Sequence, residues 1–261
     1  MVNVPKEETN PKKKYTDWKD FDSVAYANSY FDKLTIEDHF ILMKIMSTLR
    51  ELDIQPETWK TVADIGTGPN LYPGMALAPF VKKPQDGGRL DLLEYDTPNV
   101  DYLCDVLKLS HEHAQPGCVW PNIEKLMSAE SEHWKEAFKH IRVKANVIRG
   151  DLFNLEKHVY DALTSVFTAE SMTDDMEVCK KAVRKILDAV KPGGFLAMGF
   201  IVGSEGYPAG KNTHFPAVYL ELEEIQEMFK SHPNIDVFRV PGAAVMRKGY
   251  KGVAMAIGHR S

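Results

Sequence analysis

Two rhythms of apolar residues run along the chain, one of helical spacing and one of short continuous runs. Helical intervals fill "SVAYANSYFDKLTIEDHFILMKIMSTLREL", with a break around Asp32 to Leu34 and a strong amphipathic helix from Thr35 that carries Glu37 and Asp38 near its start. Two helices therefore precede the first strand, "TVADIG". A short helix irregular in its Pro and Gly follows in "LYPGMALAPFV", then a second strand in "GGRLDLLEYD". Helical periodicity returns in "NVDYLCDVL" and again in "NIEKLMSAESEHWKEAFKHI", beyond a Pro-Gly-Trp-Pro loop that reads as an insertion. A third strand, "ANVIRGDLF", ends at Asp151, and "YDALTSVFTAE" gives a fourth. The helix "DDMEVCKKAVRKILDAV" has acids at its start and Lys191 at its end, which suits the macrodipole. "KPGGFLAMGFIVG" is a turn feeding a fifth strand, "FPAVYLELEEIQEMFKSH" a helix, and "IDVFRVPG" with "GVAMAIGH" an antiparallel hairpin at a sheet edge. Strands alternating with helices predict an α/β fold whose mostly parallel sheet is covered on both faces.

Composition narrows the class. The 261 residues are 44% hydrophobic and 26% charged, enough for one domain with a real core. The expected division is a polar, Lys-rich tail over 1–22, a helical cap over 23–55 and a core over 60–261 with an insertion around 109–145. A net charge of -5 offers no attraction to nucleic acid or anionic lipid. The apolar runs fall short of a membrane span and no signal segment opens the chain, so a cytoplasmic protein, monomeric or weakly dimeric, is expected. Three cysteines, Cys104, Cys118 and Cys179, lack metal-type spacing and fit reduced thiols. His111, Glu112 and His113 hint at a metal, but the Pro and Gly after them favour a solvated loop, and no metal is expected.

The candidate chemistry lies at the strand ends, where ligands of open α/β sheets bind. Three of those ends carry acids: Asp64, Glu94 and Asp151. Gly66 and Gly68 let a ligand approach the main chain and present amide N–H groups. Glu94 is placed to accept two ribose hydroxyls, and Asp151 an exocyclic amine of a purine. The turn Gly66-Thr67-Gly68-Pro69-Asn70-Leu71 lacks the third Gly of a dinucleotide fingerprint, and no Gly-Lys-Ser/Thr follows to make a phosphate loop. Asp64 beside the turn repels phosphate and welcomes an ammonium group. Adenosine at one end and an amino acid at the other describe S-adenosylmethionine, leaving S-adenosylhomocysteine as product.

"DIGTGPNLY" closely resembles the first motif of the nicotinamide, phenylethanolamine and indolethylamine (thioether) N-methyltransferase family of class I methyltransferases. "SVAYANSYF" resembles its tyrosine-containing cap, "LLEYDTPNVDYL" its second-strand motif, "KPGGFL" its post-helix turn and "GYPAG" its late tyrosine segment. The likeness runs from about Ser23 onward and is loose from Leu109 to Ala145. It implies a Rossmann-like class I fold with a seven-stranded, mostly parallel sheet, a C-terminal antiparallel edge hairpin and an N-terminal helical cap. It further implies that Tyr26, Tyr30 and Tyr72 hold the methionyl carboxylate, that Gly66, Thr67 and Gly68 line its backbone, and that Glu94 binds the ribose with Asn99 assisting. Tyr95 would pack on the adenine, Asp151 and Leu152 hold its edge, and Thr168 lie near the amino acid end. Where the animal enzymes place an acid after the "GGFL" strand to hold their substrate, this chain has Gly199 and apolar Phe200, so nicotinamide or a catecholamine is not implied.

Other readings stay open at this stage. Tyr26 and Tyr30 share a helix face and read equally as core packing, while Glu94 alone would suit a solvated strand end. Glu170 and His214 are candidate bases or ordinary polar residues. Phe200, Tyr207, Phe215 and Tyr219 are candidates for an acceptor wall, since flat aromatic faces suit apolar rings and a cationic methyl centre. The expected activity is methyl transfer to a small molecule, at nitrogen by family likeness. Oxygen or carbon acceptors, a non-catalytic nucleoside-binding module and, less well, a dinucleotide dehydrogenase are the alternatives.

Overall fold

The computed structural model describes residues 15–31, 34–108, 118–209, 212–242 and 249–261. His111, Glu112 and His113 lie outside them. Seven strands form one sheet: β1 (Thr61–Ile65), β2 (Arg89–Glu94), β3 (Ala145–Arg149), β4 (Tyr160–Val166), β5 (Val190–Val202), β6 (Ile235–Val240) and β7 (Gly252–His259). Their order is β3-β2-β1-β4-β5-β7-β6, and only β7 runs antiparallel to its neighbours. The chain thus winds outward from β1 in one direction and then from β4 in the other. A crevice opens where the winding reverses, at the carboxyl ends of β1 and β4.

Period-two alternation divides the strands between two cores. On β5, Phe195, Ala197 and Ile201 join the layer built on α1 (Ser23–Phe31), α2 (Ile36–Glu51) and α3 (Tyr72–Leu77). Leu196, Met198, Phe200 and Val202 join the opposite layer with α7 (Met176–Ala189) and α8 (Leu222–Phe229). Phe200 is fully buried there, 6.0 Å from the ring of Phe229, so the structure does not bring this proposed acceptor contact to the crevice. A one-residue step separates it from Ile201, which faces the other layer, and the amino acid sequence around a doubly buried strand does not say which face is which.

Local chemistry sets the ends of the elements. Thr35 caps α2 by accepting the Asp38 N–H while its hydroxyl donates to the Asp38 carboxylate, and Asp175 caps α7 through the N–H groups of Glu177 and Val178. Lys191 lies beyond α7, which stops at Ala189, and donates instead to Asp161 at 2.6 Å. Asp161 also accepts the N–H groups of Lys60 and Thr61, so this carboxylate clamps the entry to β1; burial pushes it up, but the Lys191 hydrogen bond and charge and the two N–H groups together hold it below its usual range.

The stretch "NVDYLCDVL" lies in α4 (Thr97–Lys108), as its periodicity suggests, whereas two other predicted helices are shorter than theirs. "NIEKLMSAESEHWKEAFKHI" divides into α5 (Trp120–Glu130), a 3-10 turn at Glu132–Trp134 and α6 (Ala137–Lys144), because Trp134 turns inward and donates its indole N–H to the Ala76 carbonyl. In "FPAVYLELEEIQEMFKSH" only Leu222–Phe229 is helical. Phe215 upstream pairs in a bridge with Tyr207, and Val218 donates to the Glu170 carbonyl, which holds that stretch extended. Part of the expected N-terminal tail is packed rather than solvated: Trp18 and Phe21 lie 4.8 and 5.1 Å from Phe215, the Thr16 N–H donates to the His214 carbonyl, and Tyr15 donates to Asp174.

Placing Phe200 in the core yields a direct test. Phe200→Ala should cost about 3–5 kcal/mol of stability, as truncation of a buried phenylalanine does. Urea unfolding measures the loss; a stability change under 1 kcal/mol would refute the placement.

Candidate active site

The crevice at the switch point is a cavity of about 450 Å³. Its floor is the loop after β1. Gly66 and Gly68 both have positive φ, +65° and +55°, a conformation glycine adopts without strain. The reason differs between them. A Cβ on Gly66 would lie 2.1 Å from Thr168 Cγ2, so that glycine makes room for the β4 loop, whereas Gly68 leaves bare backbone lining the cavity. Thr168 reaches across with its hydroxyl within 3.1 Å of the Ile65 carbonyl and 3.2 Å of the Gly66 carbonyl. Its neighbour Phe167 has φ +60°, unusual for a bulky residue, and the turn is pinned by the Phe167 N–H donating to the Gly199 carbonyl.

Glu94 ends β2 and is the most constrained acid in the cavity. Its carboxylate accepts the Gly68 N–H at 2.7 Å, the Tyr95 N–H at 2.7 Å and the Asp96 N–H at 3.3 Å. Burial and then the adjacent Asp96 push the Glu94 carboxyl up, and burial raises Asp96 as well. Behind the loop lies Asp64, fully buried and pushed up to about 7 by burial, with Oδ1 accepting the Thr164 hydroxyl at 2.7 Å and Oδ2 left without a partner. Asp64 thus supports the loop from beneath and does not line the cavity. Asp151 does line it. Its carboxylate accepts the Phe153 N–H at 2.9 Å and caps the 3-10 turn Leu152–Asn154, so the residue sits just past the end of β3.

The cavity brings together Tyr26, Gly66, Thr67, Gly68, Glu94, Tyr95, Asp151, Leu152 and Thr168 of the expected donor residues, and Tyr207 of the expected acceptor wall. Tyr95 is 64% exposed at its rim. Besides Asp64, three other expected contacts sit elsewhere. Tyr30 stacks on Tyr26 at 4.5 Å and faces a smaller neighbouring chamber. Tyr72 is fully buried and donates its hydroxyl to Asp38 at 2.9 Å. Asn99 accepts the Ser23 hydroxyl at 2.6 Å and donates to Asp96 at 3.0 Å, which ties the first cap helix to the loop after β2.

Neither expected base faces the cavity. Glu170 is fully buried and accepts the Ile201 N–H at 2.9 Å, which bridges the β4 loop to β5. His214 is exposed and stacks on Tyr15. Phe215 supports Trp18 and Tyr207 from behind, while Tyr219 lies 40% exposed beneath Lys251.

Several walls escaped the sequence reading: Trp18, Phe31, Asp96, Phe153, Phe167, Ser171 and Met172. Trp18 had a legible signal, because Tyr15, Trp18 and Phe21 recur every three residues inside a polar stretch. Phe167 had none, since its position depends on a strained turn. Among the described residues the lining holds three carboxylates, Glu94, Asp96 and Asp151, with no lysine, arginine or histidine. That donor set suits hydroxyl and amine groups and a cation, and it opposes a pyrophosphate.

A model of the NNMT/PNMT/TEMT family matches residues 10–248. The chain belongs to that family. Its members are S-adenosylmethionine-dependent methyltransferases, and the seven-stranded sheet is the Rossmann-like class I fold. The N-methyltransferase NodS from Bradyrhizobium japonicum WM9, solved in complex with S-adenosyl-L-homocysteine, is 12% identical with a TM-score of 0.51, covering 92% of this chain and 97% of its own. A SAM-dependent methyltransferase from Methanosarcina mazei is likewise 12% identical with a TM-score of 0.51, covering 81% of this chain and 96% of its own. At those identities the likeness is one of fold. No curated protein matches the chain by sequence. No helix among the described residues is long and apolar enough to cross a membrane.

The buried acids make stability depend on pH in a defined direction. Asp64, raised to about 7, and Asp38, raised to about 6 by burial, hold protons more tightly folded than unfolded, where an aspartate titrates near 4. Folding therefore takes up protons between about pH 4 and pH 7, and their contribution declines as pH rises through that window. His140, lowered chiefly by burial, opposes them below its ordinary value. The melting temperature without ligand should be higher at pH 5.5 than at pH 7.5, and Asp64→Asn should flatten the slope. A melting temperature that climbs between those pH values would contradict the burial of these groups as ionisable acids.

Proposed function

We propose that the cavity binds S-adenosylmethionine and that the protein transfers its methyl group to a nitrogen of a small molecule. The observation that carries this reading is the lining: acids at the ends of β2 and β3, bare backbone at Gly68, aromatic walls and no cationic side chain among the described residues. Glu94 would accept a ribose hydroxyl, since a carboxylate has about four acceptor sites and backbone amides occupy three here, leaving one. Asp151 and the Leu152 backbone would hold the adenine edge, with Tyr95 against its face. Thr67, Thr168 and Tyr26 surround the opposite end. Bound there, the sulfonium supplies an electrophilic methyl carbon and a neutral thioether leaving group.

The chain's own part is to orient and to keep dry. Trp18, Tyr26 and Tyr207 close the cavity on the cap side, held by Phe215 and by the Ser23–Asn99 latch. Fixing two reactants in line supplies roughly 7–11 kcal/mol in well-oriented systems, so positioning alone is a large share of the catalysis. Aromatic faces around a sulfonium add a cation–π attraction. A neutral nitrogen needs no base, consistent with Glu170 and His214 lying away from the cavity.

Glu94→Ala should weaken S-adenosylhomocysteine binding about 10- to 100-fold, the value of hydrogen bonds to a charged acceptor. Calorimetry with S-adenosylhomocysteine and NAD on the same preparations checks both halves of the reading. An unchanged dissociation constant in the variant, or tighter binding of NAD to the parent, would defeat it. Product analysis by mass spectrometry across amine, hydroxyl and carbon acceptors decides the methylated atom.

A further inference from the structure

A ribose presents two adjacent hydroxyls, and the acid that ends β2 has room for one of them. Three backbone amides, those of Gly68, Tyr95 and Asp96, already fill three of the roughly four acceptor sites of the Glu94 carboxylate. The second hydroxyl finds no partner there. The family resemblance gives the assisting role to Asn99, but that side chain accepts the Ser23 hydroxyl at 2.6 Å, donates to Asp96 at 3.0 Å and takes no part in the cavity lining.

Asp96 lines the cavity beside Glu94 and is 7% exposed. Its Oδ1 accepts the Asn99 N–H at 3.1 Å and its Oδ2 the Asn99 side-chain amide at 3.0 Å, which leaves about two of its four acceptor sites open. The Glu94 carboxyl is itself a hydrogen-bonding neighbour of Asp96, so the two acidic groups stand about one hydrogen-bond length apart. The adjacent hydroxyls of a ribose have a similar spacing. Two acids held this way are costly: burial raises both, and for Glu94 the adjacent Asp96 adds to it. Arg149 on β3 draws Asp96 down by its charge but directs its Nε–H to the Tyr95 carbonyl at 3.5 Å. What the pair lacks is further hydrogen-bond donors, and a vicinal diol brings two.

We propose that Asp96 is a second ribose-binding residue, with Glu94 accepting one hydroxyl of the diol and Asp96 the other. This inference rests on reading the cavity as the methyl-donor site and adds a contact that the family resemblance does not imply. One carboxylate gripping both hydroxyls recognises the diol as a unit, whereas two carboxylates read each hydroxyl separately. Asp96 also holds Asn99, and Asn99 holds Ser23 on the first cap helix, so the same carboxylate that meets the ribose anchors the cap.

The test is calorimetry on the full chain with S-adenosylhomocysteine and its 2′-deoxy and 3′-deoxy analogues. In the parent each analogue should bind about tenfold more weakly than S-adenosylhomocysteine. Asp96→Asn keeps the shape and removes the charge, and it should weaken S-adenosylhomocysteine about five- to tenfold, the difference between a charged and a neutral acceptor. One deoxy analogue should weaken by the same factor and the other by less than about twofold, because that ligand already lacks the hydroxyl Asp96 takes. Ser23→Ala cuts the latch to the cap while leaving Asp96 in place, and it should hold the ratios among the three ligands within about twofold of the parent. Equal weakening of all three ligands by Asp96→Asn overturns the proposal and leaves Asp96 as a support for the cap. Unchanged affinity for all three overturns it as well, as does a parent indifferent to the loss of either hydroxyl. If Ser23→Ala shifts the ratios as far as Asp96→Asn does, the selectivity belongs to the latch and the proposal falls. A parent that binds none of the three ligands strikes the donor reading itself, and this inference with it.

Discussion

The Glu94 carboxylate draws the N–H groups of Gly68, Tyr95 and Asp96 onto one buried anionic centre. Those amides belong to two loops, one following β1 and one following β2. Each loop is free to adopt many conformations, and the shared acceptor fixes them relative to each other. Asp96 then receives Asn99, which in turn receives Ser23 from the first cap helix. The chain of hydrogen bonds thus reaches the cap through Asp96 and Asn99, and it starts at Glu94. Removing its charge loosens the floor and the lid of the cavity together, so the residue that would bind the ribose also organises the site around it.

Burying acids in this way is costly, and the structure offsets the cost by hydrogen bonding rather than by ion pairing. Asp64, Glu94 and Asp38 are all raised by desolvation, with hydroxyl and amide donors as partners in place of lysine or arginine. A paired cation would have stabilised them more in the ligand-free state. It would also have repelled a sulfonium. The absence of cationic side chains among the described lining residues is thus the electrostatic counterpart of the ligand's own charge. Preorganised carboxylates in an apolar frame interact strongly with a cation because little water is present to screen them.

The sheet and the strand-end half of the cavity lining were largely legible in the sequence because both follow from local rules. Strand-end acids and a glycine turn recur at fixed places in a doubly wound sheet, so Glu94, Asp151, Gly66 and Gly68 could be placed before any coordinates. The acceptor half was less legible. Phe200 and Ile201 differ by one position on a strand buried on both faces, and hydropathy cannot orient such a strand. Phe167 faces the cavity only because a left-handed backbone turns it there. Trp18 comes from a polar stretch whose average composition hides three evenly spaced aromatics. Tyr72 and Asn99 were placed in the right neighbourhood with the wrong partner, since Asp38 and Ser23 reach them from elements far away in sequence.

That distribution has a functional consequence. Groups that would meet the donor sit on the strands and their first loops, where backbone geometry is set by the sheet. Groups on the opposite side come from the cap helices and from the Tyr207–Phe215 bridge, which are joined to the sheet by side chains. Side-chain joints can be rebuilt without disturbing strand register, whereas the β1 and β2 loops cannot change without losing Glu94's amides. A fold arranged this way can keep one methyl donor while the cap is altered to admit different acceptors.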